Sequence, residues 1–174
     1  YQRSRGLGDV YKRQLLESSL NLLIELQESE IKNLEEFSKE DLINQMSLFD
    51  KVFCQKFLNL ASDKSINDLI SMTIDKLYQH PWVNCHFDFE RRNLVLDKNN
   101  HLIVIDYQDM KKGPIGIDMA GILVDHYFEA DISNIKSFLN FFSTNVISEY
   151  SDDACFEFTR SVSYTHLTLP TKVR

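Results

Sequence analysis

The chain is poor in the residues that build special scaffolds. It has three cysteines, five glycines and three prolines in 174 residues. Cys54, Cys85 and Cys155 cannot all pair and form no CxxC spacing. That excludes a disulfide framework or a zinc knuckle and makes a reducing cytoplasm the expected compartment. So little glycine and proline excludes a collagen-like or low-complexity chain. No apolar run is long enough to cross a bilayer, and no signal-peptide-like stretch stands at the start. Positive charge is short too: 19 basic residues meet 26 acidic ones, a net of −7. Binding to nucleic acid or anionic lipid through a broad basic surface is not expected. What is present, 43% hydrophobic and 26% charged residues with 11% aromatic, suits one globular domain with a packed core.

The two ends read differently from the middle. Residues 9–14 are DVYKRQ and residues 162–166 are VSYTH. One coding of the first is GAT GTG TAT AAG AGA CAG. Its reverse complement, in another frame, contains GTC TCT TAT ACA CAT, which encodes the second. Peptides from opposite strands of one short DNA resemble a translated sequencing adapter of the transposon-end type. Residues 1–14 and 162–174 are therefore set aside as adapter-derived, and residues 15–161 are taken as the natural segment. Over that segment 13 basic residues meet 25 acidic ones, a net of −12. Its limits are expected to be read boundaries rather than domain boundaries.

Leu15, Leu16, Leu20, Leu23, Ile24 and Leu26 share a helical stripe. Ser38 followed by Asp41 resembles a capping box and predicts a helix from about residue 39. Ile43, Met46, Phe49, Val52, Phe53, Phe57 and Leu60 keep helical spacing and are expected to be core. Ser65 with Asp68 suggests a further helix start. At Pro81 the character changes. WVNCHFDF is short, apolar and β-prone. Residues 93–97, a turn at Lys98-Asn99-Asn100, and residues 102–106 then read as a β-hairpin, since Asn tolerates positive φ. After Gly113-Pro114 helical spacing returns in IDMAGILVDHYF and ISNIKSFLNFFSTNVISEY. The expected fold is α+β and mainly helical, with a small central hairpin.

Chemistry is concentrated between Cys85 and Asp118. His86, Asp88, Asn93 and Asp106 follow one another around the hairpin. Asp88 lies in the loop before it, Asn93 enters it and Asp106 ends its returning strand. One amide oxygen and two carboxylates then meet at one end of a ribbon. Oxygen donors of this kind suit Mg²⁺, which keeps waters and takes its other ligands from phosphates. Asp88 is left as the candidate base.

The spacing HxDxxxxN followed by Asp is that of the protein-kinase catalytic loop and metal-binding Asp. CHFDFERRNLVL followed by VIDYQDMKKGPIGIDMAGIL resembles the aminoglycoside phosphotransferase and choline kinase-like superfamily. The run Asp106-Tyr107-Gln108-Asp109, Gly113-Pro114 and Asp118 is most similar to bacterial kinases of cell-wall sugars, which act on the anomeric hydroxyl of N-acetylmuramate or N-acetylglucosamine. The resemblance covers most of residues 15–150, with its specific motifs in 86–121. It implies the C-terminal lobe of a protein-kinase-like fold, ATP and Mg²⁺ as cofactors, and a small-molecule hydroxyl as acceptor. It further implies Asp88 as catalytic base, Asn93 and Asp106 as holders of Mg²⁺ on the nucleotide, His86 as support of the loop and Asp118 as its anchor from below.

Arg92 is read either as a phosphate or substrate contact or as a structural salt bridge. Gln108 and Asp109 serve metal or substrate, or shape the turn. His80, His101 and His126 are expected to be exposed or capping groups, and the cysteines small buried hydrophobes. No β-rich lobe with a phosphate-covering loop and lysine precedes residue 81, so the polypeptide by itself is expected to lack kinase activity. Other acceptors (an aminoglycoside, choline or homoserine) stay open, as does a non-enzymatic helical module in which the motif is a relic.

Overall fold

The computed structural model describes residues 2–79, 81–123 and 132–146. His80, His126, Cys155 and the VSYTH stretch fall outside them. Helix α1, Gln2–Glu28, carries the first apolar stripe and continues back through residues 2–14. Leu20 and Leu23 are fully buried, while Leu16, Ile24 and Leu26 pack against the same core. The carbonyls at the C-terminal end of α1 have no partner within the helix. Asn84 supplies one: its Nδ2 donates to Ser29 O at 2.6 Å and to Leu26 O at 3.3 Å.

Helix α2, Lys39–Leu48, starts where the capping box places it. Ser38 Oγ accepts from the Asp41 N–H at 3.1 Å and donates to Asp41 Oδ2 at 2.7 Å. It runs into a π-helix at Phe49–Phe57, and here the expectation of a core stripe fails. Met46 is buried, but Ile43, Val52, Phe53, Phe57 and Leu60 are exposed, Phe57 by 73%. The stripe keeps a common face, but among the described residues that face is turned to solvent rather than into the core. Phe49, Phe53 and Phe57 stack on one another along it, with centroids 5.6 and 5.7 Å apart. Helix α3, Lys64–Leu77, begins earlier than expected. Its cap is Asp63, whose Oδ1 accepts from the Ser65 N–H at 2.8 Å, so Ser65 is inside the helix.

The hairpin forms as read: β2, Leu94–Leu96, pairs with β3, Leu102–Val104, antiparallel. Asn100 takes φ 62° in its turn, and Asp97 Oδ1 accepts the N–H groups of Asn99 and His101. A second ribbon was not legible in the sequence. β1, Trp82–Cys85, pairs antiparallel with β4, Lys111–Pro114, so the stretch around Gly113-Pro114 is a strand before helix α4, Ile117–Leu123, begins. Residues 35–37 run along the outer edge of β4: Lys112 N donates to Glu35 O and Phe37 N to Lys112 O. Helix α5, Ile132–Val146, adds Phe138, Leu139 and Phe142 to the core. Cys54 and Cys85 are buried. Among the described residues no helix is long and apolar enough to cross a membrane.

Gly113 is set by packing. A Cβ there would lie 2.6 Å from Cζ of Phe87. The Phe87 ring has little room to retreat, because it packs on Phe37 with centroids 4.7 Å apart. Gly113→Ala is expected to destabilise the protein by about 1–3 kcal/mol through overpacking. In a Phe87→Ala background the same change should cost little, a coupling that denaturant unfolding of the four variants would measure.

Candidate active site

The site is a loop, residues 86–93, held at its base by a buried carboxylate. Asp118, in the first turn of α4, is 1% exposed. Its Oδ2 accepts from His86 N–H at 2.6 Å and its Oδ1 from Phe87 N–H at 2.8 Å. Both oxygens are thus spent on consecutive backbone donors. Phe87 takes φ 64°, a conformation costly for an aromatic residue, and the clamp helps hold it. Burial pushes the Asp118 pKa up to about 7, against the pull of the two N–H groups and with a smaller push from Asp88.

His86 is fully buried, and its Nε2 lies 3.1 Å from Ile105 O, the residue before Asp106. It therefore ties the loop to the returning strand of the hairpin. Burial lowers its pKa, opposed by the Ile105 carbonyl and by the Asp88 and Asp106 carboxylates. Both carboxylates are thus within electrostatic reach of one ring.

Asp88 stands half-buried above this base. Asn93 Nδ2 donates to its backbone O at 2.8 Å and to its Oδ2 at 3.0 Å. Arg92 Nη2 straddles its two oxygens at 2.9 and 3.2 Å. For Arg92 the salt-bridge arrangement is therefore present, and the structure adds a partner that sequence reasoning missed: Glu90 Oε2 lies 3.0 Å from Arg92 Nε. The available signal was charge alternation, Asp88, Glu90, Arg92, at a spacing of two. Asn84 was missed as well, although it is the one polar residue in an otherwise apolar WVNC strand.

Asp106 reaches the same end of the ribbon by backbone pairing: Ile105 N donates to Asn93 O at 2.9 Å. Asp106 takes φ 69°, which turns the chain out of the strand into the 3-10 turn Tyr107–Asp109. Gln108 Nε2 donates to Asp106 Oδ1 at 2.8 Å, so Gln108 joins Asp106 rather than Asp88. Asp109 lies exposed at the end of that turn. His101 is exposed beside Asp97.

The donor chemistry fits Mg²⁺. Asn93 spends its nitrogen on Asp88, which turns its carbonyl oxygen into the remaining ligand atom. With Asp106 it would supply an oxygen-only donor pair of the kind a hard cation that keeps its waters takes. Among the described residues no group of three or more His, Cys, Asp and Glu forms a self-sufficient cage. An ion here would need water or phosphate to complete its shell.

Comparison with known proteins shows the family and the fold. The family described as "Phosphotransferase enzyme family" matches residues 13–150. An N-acetylmuramate/N-acetylglucosamine kinase of Neisseria meningitidis serogroup B is 31% identical over 127 residues, 70% of this chain and 38% of that protein. An aminoglycoside phosphotransferase of Streptomyces rimosus, solved with ADP and streptomycin, superposes with a TM-score of 0.59 at 11% identity, over 90% of this chain and 62% of that one. A choline kinase of Streptococcus pneumoniae superposes at 0.51 with 11% identity, over 90% and 65%. At such identities the solved structures show the shared fold alone, that of the kinase-like large lobe. The chain thus spans less than two thirds of these relatives.

The Asp118 clamp has a pH signature. Its folded pKa lies above the ordinary carboxylate value of 3.8, so between about pH 4 and about 7 the native state holds more of this proton than the unfolded chain. Stability should therefore fall as pH rises through that window, by up to about 1.4 kcal/mol per unit from this group. Asp118→Asn is expected to cost about 1–3 kcal/mol, because its amide must face a backbone donor, and to remove that slope. Urea unfolding of both proteins across the window checks it, and parallel stability curves would refute it.

Proposed function

This chain belongs to the phosphotransferase enzyme family, and on that footing we propose that the protein moves the terminal phosphoryl group of ATP to a hydroxyl of a small molecule. The observation that carries the proposal is the held Asp88 carboxylate: oriented by Asn93 and Arg92 on a loop whose backbone a buried Asp118 clamps. Asp88 orients the acceptor hydroxyl in line and takes its proton. The hydroxyl oxygen bonds to the γ-phosphorus, the bond from that phosphorus to ADP breaks, and ADP leaves. Asn93 and Asp106 are the residues that would hold Mg²⁺, whose chemistry, when bound, is to neutralise charge on the nucleotide phosphates. Catalysis of this kind is mostly alignment and charge neutralisation, which suits an acidic protein that places a few groups well. Arg92 is positioned to reach a phosphate or the acceptor, while His86 and Asp118 support the loop.

The acceptor we propose is the anomeric hydroxyl of a cell-wall amino sugar, N-acetylmuramate or N-acetylglucosamine. The support is the Neisseria relative named for those sugars and the Asp106-Tyr107-Gln108-Asp109 run with Gly113-Pro114. An aminoglycoside or choline acceptor is the second reading, favoured by the solved neighbours that share the fold. The proposed compartment is the cytoplasm, where ATP is available.

A gene product spanning the full length of its relatives is the material for the test. Turnover with the two sugars, an aminoglycoside and choline, read by phosphorus NMR, identifies the acceptor. A panel in which neither sugar is phosphorylated sinks the amino-sugar proposal. Asp88→Asn is expected to lower turnover about 10²–10⁴-fold while leaving ATP affinity intact, the usual worth of a positioned base. Activity within about tenfold of the parent would take the base role from Asp88. Asp106→Ala is expected to weaken Mg·ATP binding in calorimetry, and an unchanged affinity would remove Asp106 from the metal site.

A further inference from the structure

Two carboxylates share one guanidinium on the loop, and they do not grip it alike. Arg92 Nε donates to Glu90 Oε2 at 3.0 Å, and the Glu90 side chain is only 10% exposed. Arg92 Nη2 meets both oxygens of Asp88, whose side chain is 25% exposed. The guanidinium is thus held on one edge by a buried acid and on the other by a more open one. An open ion pair is weak and exchanges readily with water or another anion. A carboxylate shielded from water is less screened and holds its cation harder. The two grips therefore have an order, Glu90 over Asp88. Glu90 itself is fixed by the turn. Its N–H donates to Asp88 O and its carbonyl accepts from Asn93 N–H, both at 2.9 Å.

We infer that Glu90 is the pivot of the site, keeping the Arg92 guanidinium at the mouth of the loop while its terminal nitrogens pass from Asp88 to the phosphoryl group in transfer. The inference rests on the phosphotransferase reading and deepens it. Once Arg92 turns away, Asp88 can offer its oxygens to the acceptor hydroxyl, still oriented by Asn93 Nδ2. Glu90 touches neither substrate nor phosphate. It is a positioning residue acting through Arg92. Its burial close to where a phosphate must arrive is then no liability, because Arg92 neutralises it in place. Without it the Nε edge of Arg92 loses its buried anchor. The strongest attraction left among the contacts above is then Asp88, the group that must be freed.

Side-chain NMR of the ¹⁵N-arginine-labelled full chain tests this, with the Arg92 Nε–Hε signal assigned by its loss in Arg92→Lys. Glu90→Gln is expected to speed Hε exchange about tenfold, the worth of one charge-assisted hydrogen bond. Asp88→Asn, which touches only the terminal nitrogens, should leave Hε within about twofold, as for loss of an open ion pair. Adding inorganic phosphate to the parent should shift the terminal Arg92 signals and leave Hε protected. Equal acceleration in both variants, lost Hε protection in phosphate, or no phosphate shift at Arg92 would each overturn the pivot. The phosphate titration needs no variant and decides the question even if Glu90→Gln does not fold. Phosphoryl transfer itself is judged by turnover, so the two readings fail on different data.

Discussion

The loop depends on one carboxylate. Asp118 is buried, and its two oxygens accept the N–H groups of His86 and Phe87 at 2.6 and 2.8 Å. Burying a charge is costly unless it is hydrogen-bonded, and these two bonds are what make the position tolerable. The cost still shows in a pKa pushed up to about 7. In exchange, the backbone at the start of the loop has a fixed direction. Phe87 can then sit at positive φ, and every side chain from Asp88 to Asn93 is aimed from that starting point.

Packing closes the same region from the other side. The Phe87 ring lies between Phe37 and Gly113, and Lys111 stands over the Phe37 ring 5.8 Å from its centroid. Two-stranded ribbons are marginal by themselves. Here β1–β4 gains residues 35–37 along its edge, and Asn84 of β1 caps the end of α1. Gln27 of α1 adds a buried bond from its Nε2 to Ile115 O at 2.9 Å. The ribbon that positions the loop is thereby stitched to the longest helix. His86 then stitches the loop to the second ribbon through Ile105.

These supports leave the chemical groups at the surface and the anchors beneath. Asp118, His86 and Glu90 are buried, while Asp88 is half-buried and Arg92, Asp106 and Gln108 are exposed. In that layering the exposed groups are open to solvent-borne molecules, and the anchors beneath fix the direction of the loop. Arg92, a cation among these surface groups, is engaged by two acids.

Local chemistry made much of this legible from the residues. Ser38 with Asp41 marks a helix start because a side-chain oxygen can satisfy a nearby N–H, and that holds in any tertiary setting. The alternation around Lys98-Asn99-Asn100 marks a hairpin for a similar reason, and the order His86, Asp88, Asn93, Asp106 follows from its register. By itself, then, the sequence determined the helices, the hairpin and the cluster of candidate residues, all set by neighbours within a few positions. Tertiary structure alone decided three other things. It paired β1 with β4, a contact between segments some thirty residues apart, roughly beyond the reach of any local pattern. It widened residues 49–57 into a π-helix and left an apparent core stripe facing solvent, since which apolar face is covered depends on what packs against it and not on apolar spacing. And it gave Arg92 to both Glu90 and Asp88, because which acid a flexible guanidinium meets depends on where the folded loop brings each carboxylate.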